Sequence, residues 1–184
     1  MTRIVSVFGG SAPRPGSPAY AQAQALGAAL AEGGWTVATG GYSGVMEAAS
    51  RGAAEAGGHV IGVTCELIEA WRNLRANAWV NEETRFPTLR ERLYHLVTFC
   101  DAAVALPGGI GTLSEVALTW SLLQTGEMAR KPFVVVGRLW GETVSTFASQ
   151  AGEYIHPGDR ELVTIVDDVA AVLPALNGSR DEAR

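Results

Sequence analysis

Asp101-Ala-Ala-Val-Ala-Leu-Pro-Gly-Gly-Ile-Gly-Thr-Leu-Ser-Glu-Val-Ala-Leu-Thr-Trp-Ser-Leu-Leu-Gln-Thr125 is the stretch whose reading decides the fold. Ala102 to Leu106 is an apolar run of strand length, and Pro107-Gly108-Gly109 breaks it. Gly111-Thr112 then opens an amphipathic segment that reads as a helix out to about Gly126. A strand, a glycine turn and a helix start together form a device for holding phosphate. Glycine lets the backbone approach an anion, and the free N–H groups of the helix start point at it. Thr112 adds a hydroxyl, and Glu115 lies one turn further in.

Working outward, the same pattern repeats upstream. Ile4–Phe8, Trp35–Thr39 and His59–Thr64 read as strands, being rich in β-branched or aromatic residues. Between them, Ala19–Glu32 and Val45–Ala56 read as helices. The first has Ser17 as N-cap, Pro18 at its first position and Gly33-Gly34 at its end. Downstream, Pro132–Val136 and Leu162–Val166 are strands. Trp140–Tyr154 is a helix, and Asp167-Asp168 caps a last helix to about Leu176. Phe86–Phe99 reads as a helix with Leu89, Leu93, Leu96 and Val97 on one face.

Alternating strands and helices with short connections predict an α/β fold. It is a single doubly wound, Rossmann-like parallel sheet of strand order 3-2-1-4-5-6. Residues 1–178 form that domain, and 179–184 form a polar tail. Cys65–Thr84, with Trp71 and Trp79, fits no regular pattern. It reads either as part of a ligand cleft or as a surface excursion pinned by its tryptophans.

Three of the strands end in glycine turns: Gly9-Gly10-Ser11, Gly40-Gly41-Tyr42-Ser43-Gly44 and Pro107 to Thr112. In a doubly wound sheet these gather at the carboxyl edge, where ligands bind at the switch in strand order. Neither the Gly-x-Gly-x-x-Gly dinucleotide fingerprint nor a Gly-x-x-x-x-Gly-Lys-Ser/Thr loop is present at these turns.

Composition narrows the ligand. The chain has 184 residues, 47% of them hydrophobic, and a net charge of -5, which suits one globular domain. No basic cluster exists to neutralise a nucleic-acid backbone, so nucleic acid is not the expected partner. The two cysteines, Cys65 and Cys100, stand far apart and read as reduced and structural. The first apolar run is too short for a signal peptide and no window spans a membrane, so a cytoplasmic location is expected. No Cys/His cluster suggests a metal, and no cofactor is expected. The single lysine, Lys131, sits before Pro132 and is badly placed for a Schiff base.

Pro107 to Glu115 matches Pro-Gly-Gly-x-Gly-Thr-x-x-Glu, and in this the chain resembles the LOG family. Those proteins are cytokinin-activating nucleoside 5′-monophosphate phosphoribohydrolases, long mislabelled as lysine decarboxylases. Gly40 to Met46 resembles the family's Gly-Gly-x-x-Gly-x-Met turn, Val7 to Ser11 its first-strand turn, and Glu91-Arg92 its Glu-Arg pair. The likeness spans roughly residues 4 to 137. It departs at Leu89-Arg90, where the family has Met-His, at Leu93, where it has lysine, and at Glu47, where plant-type enzymes have glycine.

The resemblance implies hydrolysis of the N-glycosidic bond of AMP or N6-substituted AMP, giving free base and ribose 5-phosphate. Glu115 and Arg92 would be catalytic. Glu115 would stabilise an oxocarbenium-like ribose, hold its hydroxyls or orient water. Arg92 would hold the phosphate or assist the departing base. Gly9, Ser11, Gly41, Gly44, Gly108, Gly109, Gly111 and Thr112 would hold the phosphate. The resemblance also implies a homodimer with sites near the subunit boundary. Some relatives resemble molybdenum-cofactor carriers. The alternative is therefore a non-catalytic protein that binds a nucleotide or a pterin phosphate.

Several side chains also have an ordinary reading. The alternative to a catalytic Arg92 is a surface arginine paired with Glu91 or Asp101, Glu47 would favour the dipole of its helix or else touch a ligand, and Tyr42 would either stack on a base or cover its turn. His59, His95 and His156 read as structural, although His95, one turn after Arg92, is a candidate for the cleft wall. Trp120 and Leu122-Leu123 would be core or interface.

Overall fold

A computed structural model describes residues 2–178; the expected polar tail, 179–184, lies outside the described residues. The sheet has seven parallel strands: β1 (Arg3–Phe8), β2 (Trp35–Thr39), β3 (Val60–Cys65), β4 (Glu82–Phe86), β5 (Ala102–Ala105), β6 (Phe133–Val136) and β7 (Thr164–Val166). Their order is β4-β3-β2-β1-β5-β6-β7. This is the expected 3-2-1-4-5-6 arrangement with one more strand on the first edge.

The helices are α1 (Pro18–Glu32), α2 (Val45–Glu55), α3 (Glu66–Arg72), α4 (Leu89–Thr98), α5 (Ile110–Thr125), α6 (Arg138–Ala151), α7 (Pro157–Arg160) and α8 (Val172–Gly178). Both α3 and β4 fall in or beside the segment that sequence left irregular. Phe86, expected to start a helix, ends β4 instead. Helix α4 starts after Thr88, whose hydroxyl accepts from the Glu91 amide. The expected Trp140–Tyr154 helix starts two residues earlier and ends at Ala151, with a 3₁₀ turn over Gly152–Tyr154.

Successive strand residues face opposite sides, so the central strands feed two cores. On one side Val5, Val7, Val37 and Val104 pack with Leu26 and Leu30 of α1 and Ala49 of α2. On the other, Phe8, Val63, Ala103 and Val135 pack with Leu96 of α4, Val116 of α5 and Trp140 of α6. Leu122 and Leu123 lie in this second core, while Trp120 is half-buried and donates its Nε1–H to the Asp159 carbonyl at 2.7 Å. Helices α1 and α2 touch backbone to backbone. A Cβ on Gly27 would overlap the Ala49 carbonyl, and one on Gly52 would overlap the Gln24 carbonyl.

Chain direction across the sheet reverses between β1 and β5, which pair with Phe8 opposite Ala105. Their carboxyl ends bring the first and third glycine turns side by side. No helix among the described residues is long and apolar enough to cross a membrane.

Candidate active site

The three glycine turns are tied into one unit through Gly10. Its N–H donates to the Pro107 carbonyl at 3.1 Å, and its carbonyl accepts from the Val45 amide at 2.9 Å. A Cβ on Gly10 would stand 3.2 Å from the Gly108 Cα. Gly44 has φ 77°, and a Cβ there would overlap the Gly10 carbonyl oxygen. Only glycine fits where backbones meet this closely in a left-handed conformation.

Above this unit opens a cleft of about 620 Å³. Gly9, Gly10, Ser11, Gly109, Gly111 and Thr112 form its polar end. Helix α5 starts at Gly109 with no side chain capping it, and Gly109 and Gly111 have open space where a Cβ would be. The first amides of α5 are thus available to an anion. Leu67, Ile68, Trp71, Leu74, Leu89 and Ile110 form an apolar flank. The segment 65–84 therefore does build a cleft wall, through α3. Three of the expected phosphate-binding residues, Gly41, Gly44 and Gly108, stand behind the lining and shape it.

Arg92 and Glu115 also line the cleft, and both are buried, at 5% and 8% exposure. Arg92 comes from the first half of the sheet, on α4. Its Nε donates to the Val63 carbonyl at 2.8 Å and its Nη2 to the Gly40 carbonyl at 3.2 Å. Glu115 comes from the second half, on α5. The Arg92 Nη1 atom lies 3.9 Å from Glu115 Oε1. That is an ion pair too long for a hydrogen bond. Burial pushes the Glu115 carboxyl up to about 7, against the smaller opposing pull of the Arg92 charge. The group therefore exchanges its proton near neutral pH, the range in which an acid–base residue works best. Neither Glu91 nor Asp101 is the partner of Arg92. Glu91 bonds Thr88, and Asp101 accepts from the Ile4 amide.

Tyr42 lies under the guanidinium, its ring centroid 5.8 Å from the Arg92 Cζ. Its hydroxyl donates to the Cys65 carbonyl and accepts from the Cys65 amide, which fixes the ring as a wall of the cleft. Asn77 braces the same turn. Its amide and Nδ2 both donate to the Gly41 carbonyl, and Nδ2 also reaches the Tyr42 carbonyl.

The parts played by Gly10, Gly40 and Asn77 escaped sequence reasoning because each depends on a partner far away in the chain. At Gly40, a Cβ would overlap Arg92 Nη2, so the glycine gives the guanidinium its path. The other candidates have structural positions. Glu47 accepts from the Tyr20 hydroxyl at 3.2 Å in the first turn of α2. His95 lies between the rings of Phe86 and Phe99, and burial lowers its pKa. Lys131 donates to the Val97 and Cys100 carbonyls. Among the described residues no three His, Cys, Asp or Glu side chains gather as a metal would require.

The profile of the SLOG cluster4 family matches residues 2–157. A cytokinin riboside 5′-monophosphate phosphoribohydrolase of Mycobacterium tuberculosis is 33% identical over 168 residues, covering 86% of this chain and 88% of that protein. A protein of the same name from Rhodococcoides fascians is 29% identical over 180 residues, covering 95% and 89%. Among solved structures, a molybdenum cofactor binding protein from Rippkaea orientalis superposes with a TM-score of 0.76 at 26% identity over 98% of both chains. The molybdenum cofactor carrier protein of Chlamydomonas reinhardtii gives 0.74 at 29%, over 97% of this chain and 98% of that one.

Proposed function

The chain belongs to the SLOG cluster4 family, which is LOG-like, and from that premise we propose that it is a nucleoside 5′-monophosphate phosphoribohydrolase acting on AMP or an N6-substituted AMP. The observation that carries this reading is the Arg92–Glu115 pair, buried at one side of a phosphate-ready cleft with Glu115 poised near pH 7.

In this reading the 5′-phosphate sits on the amides at the start of α5, with Thr112, Gly9, Ser11, Gly109 and Gly111 around it. Gly41, Gly44 and Gly108 hold those turns in shape. Glu115 lies about 4.5 Å farther along the helix axis than Thr112, so a ribose held by its phosphate presents C1′ toward the carboxylate. As the bond from C1′ to the base nitrogen breaks, positive charge grows on the ribose, and the Glu115 carboxylate stabilises it. Water supplies the oxygen that bonds C1′, and a proton ends on the departing base. With Arg92 Nη1 and Glu115 Oε1 3.9 Å apart, one ribose hydroxyl or that water bonds both from the cleft side. The apolar flank from Leu67 to Leu89 receives the base. The names of the curated relatives support this reading.

The solved relatives favour a second reading, in which the cleft holds a pterin phosphate of the molybdenum-cofactor kind without cleaving it. The first reading gives the Glu115 carboxylate a task, and a carrier does not need one. Incubation with a panel of nucleoside monophosphates separates the two. Release of free base that stops in Glu115→Ala supports the hydrolase. Tight binding with no base release from any monophosphate overturns it in favour of the carrier.

The same proposal includes a homodimer. Helices α4 and α5, which carry Arg92 and Glu115, expose the large apolar side chains Leu89, Tyr94 and Leu113.

A further inference from the structure

Two cations line the cleft, Arg72 and Arg92. Arg92 is already engaged: Nε bonds Val63, Nη2 bonds Gly40, and Nη1 faces the Glu115 carboxylate. Its fork is therefore already committed to protein acceptors.

Arg72 has the opposite setting. It is the last residue of α3, a helix with no buried residue. Its guanidinium lies over the Trp71 ring, 4.7 Å from the centroid. From there Nη1 reaches across the cleft to Ser11 Oγ at 3.5 Å, the outer limit of a hydrogen bond. Ser11 belongs to the first glycine turn, beside the uncapped start of α5. In the same cleft the side chain of Glu115, nine-tenths buried, accepts no hydrogen bond among the described residues and has only the Arg92 charge, 3.9 Å away, beside it. Among the described residues, the polar end thus has backbone amides on one wall, a guanidinium held only by a long bond to Ser11 and by the Trp71 ring on the other, and Ser11 between them.

We propose that Arg72 is the residue that grips the phosphate of the ligand and makes the cleft select a phosphomonoester over its neutral counterpart. Trp71 acts as a positioning residue that holds the guanidinium over the cleft. The inference rests on the reading that this cleft takes a phosphomonoester, which both functions above share, and it does not need turnover. A planar guanidinium matches two phosphate oxygens at once, whereas the amides of α5 offer single contacts. The weak bond to Ser11 is exchanged for the stronger charge-assisted one when the ligand arrives.

Calorimetric titration with AMP, ribose 5-phosphate and adenosine tests this. AMP and ribose 5-phosphate should bind Arg72→Ala about tenfold to a hundredfold more weakly than wild type. Adenosine affinity should stay within about twofold, since it carries no phosphate for Arg72 to hold. Arg72→Lys should recover part of the loss, and Trp71→Ala should show a smaller one. Because α3 buries nothing, these variants should keep the wild-type melting temperature, which serves as the folding control.

Equal loss for AMP and adenosine, no loss for either, or a wild-type protein that does not prefer AMP to adenosine would each overturn the proposal. Binding that follows this pattern with no base release would sink the hydrolase and leave the Arg72 assignment standing. Base release with unchanged AMP affinity in Arg72→Ala would do the reverse.

Discussion

Arg92 Nη1 and Glu115 Oε1 face each other at 3.9 Å, although the two residues come from opposite halves of the sheet. The pair forms only because the chain reverses its direction across the sheet between β1 and β5. That joins the site to the folding of both halves.

Glu115 should therefore make stability depend on pH. Its carboxyl ordinarily titrates at 4.5 and in the folded protein at about 7. Between those values the folded state binds more protons than the unfolded one, so stability falls as pH rises across the interval. Above about pH 7 the loss is complete, on the order of 3 kcal/mol. Glu115→Gln removes it. The melting-temperature advantage of the variant over wild type should be small at pH 5 and large at pH 8, and an advantage that is flat with pH would refute this.

The same titration sets the rate. If the carboxylate stabilises the ribose cation, kcat/KM for base release should rise with pH and level off above about 7. Glu115→Gln should reduce it at least about a hundredfold at pH 8. A profile that falls through pH 7 would mean that the protonated form acts.

Arg92→Met should leave the Val63 and Gly40 carbonyls without their donor and Glu115 without its countercharge. The expected loss is about 3 kcal/mol at pH 8 by denaturant titration. Adding Glu115→Gln to that variant should restore part of it, since the unpaired charge is then gone. A double-mutant cycle reads the coupling directly.

Two glycines with similar angles should respond differently to alanine. Gly16 has φ 90° and no atom within 4 Å of a new Cβ, whereas Gly44 has φ 77° and meets the Gly10 carbonyl. Gly16→Ala should cost about 1 kcal/mol of backbone strain. Gly44→Ala should cost at least twice that and reduce AMP affinity, because it moves the turn that anchors Gly10.

Light scattering should give twice the 19.3 kDa chain mass if the homodimer forms. Leu113→Arg should shift the protein to the single-chain mass, and a wild-type monomer at micromolar concentration would end that part of the proposal.

Legibility in the sequence followed burial. The strands nearest the centre of the sheet are apolar runs ended by glycine, and so are visible as such. β4 is Glu-Glu-Thr-Arg-Phe, an edge strand with no buried residue, and its composition hides its geometry. α3 buries nothing either, so it has no apolar stripe to reveal it. The third glycine turn and the place of Glu115 in the cleft were readable because their spacing follows from one strand, one turn and one helix. Gly40, Asn77 and Arg72 were not. Their roles depend on partners 52, 36 and 61 residues away, which no local pattern encodes.

The backbone contacts between α1 and α2, and the glycine crossing at Gly10, leave the glycine-lined end of the cleft almost no freedom to drift. Helix α3 has the reverse property. Four of its seven residues, Leu67, Ile68, Trp71 and Arg72, line the cleft, and none of the seven is buried in the core. Exchanges there change the lining of the cleft without touching what makes the chain fold. The two walls can therefore evolve at different speeds, one held fixed by packing and the other open to selection for a new ligand. One such scaffold could in this way have given rise both to proteins that cleave a nucleotide and to proteins that carry a cofactor.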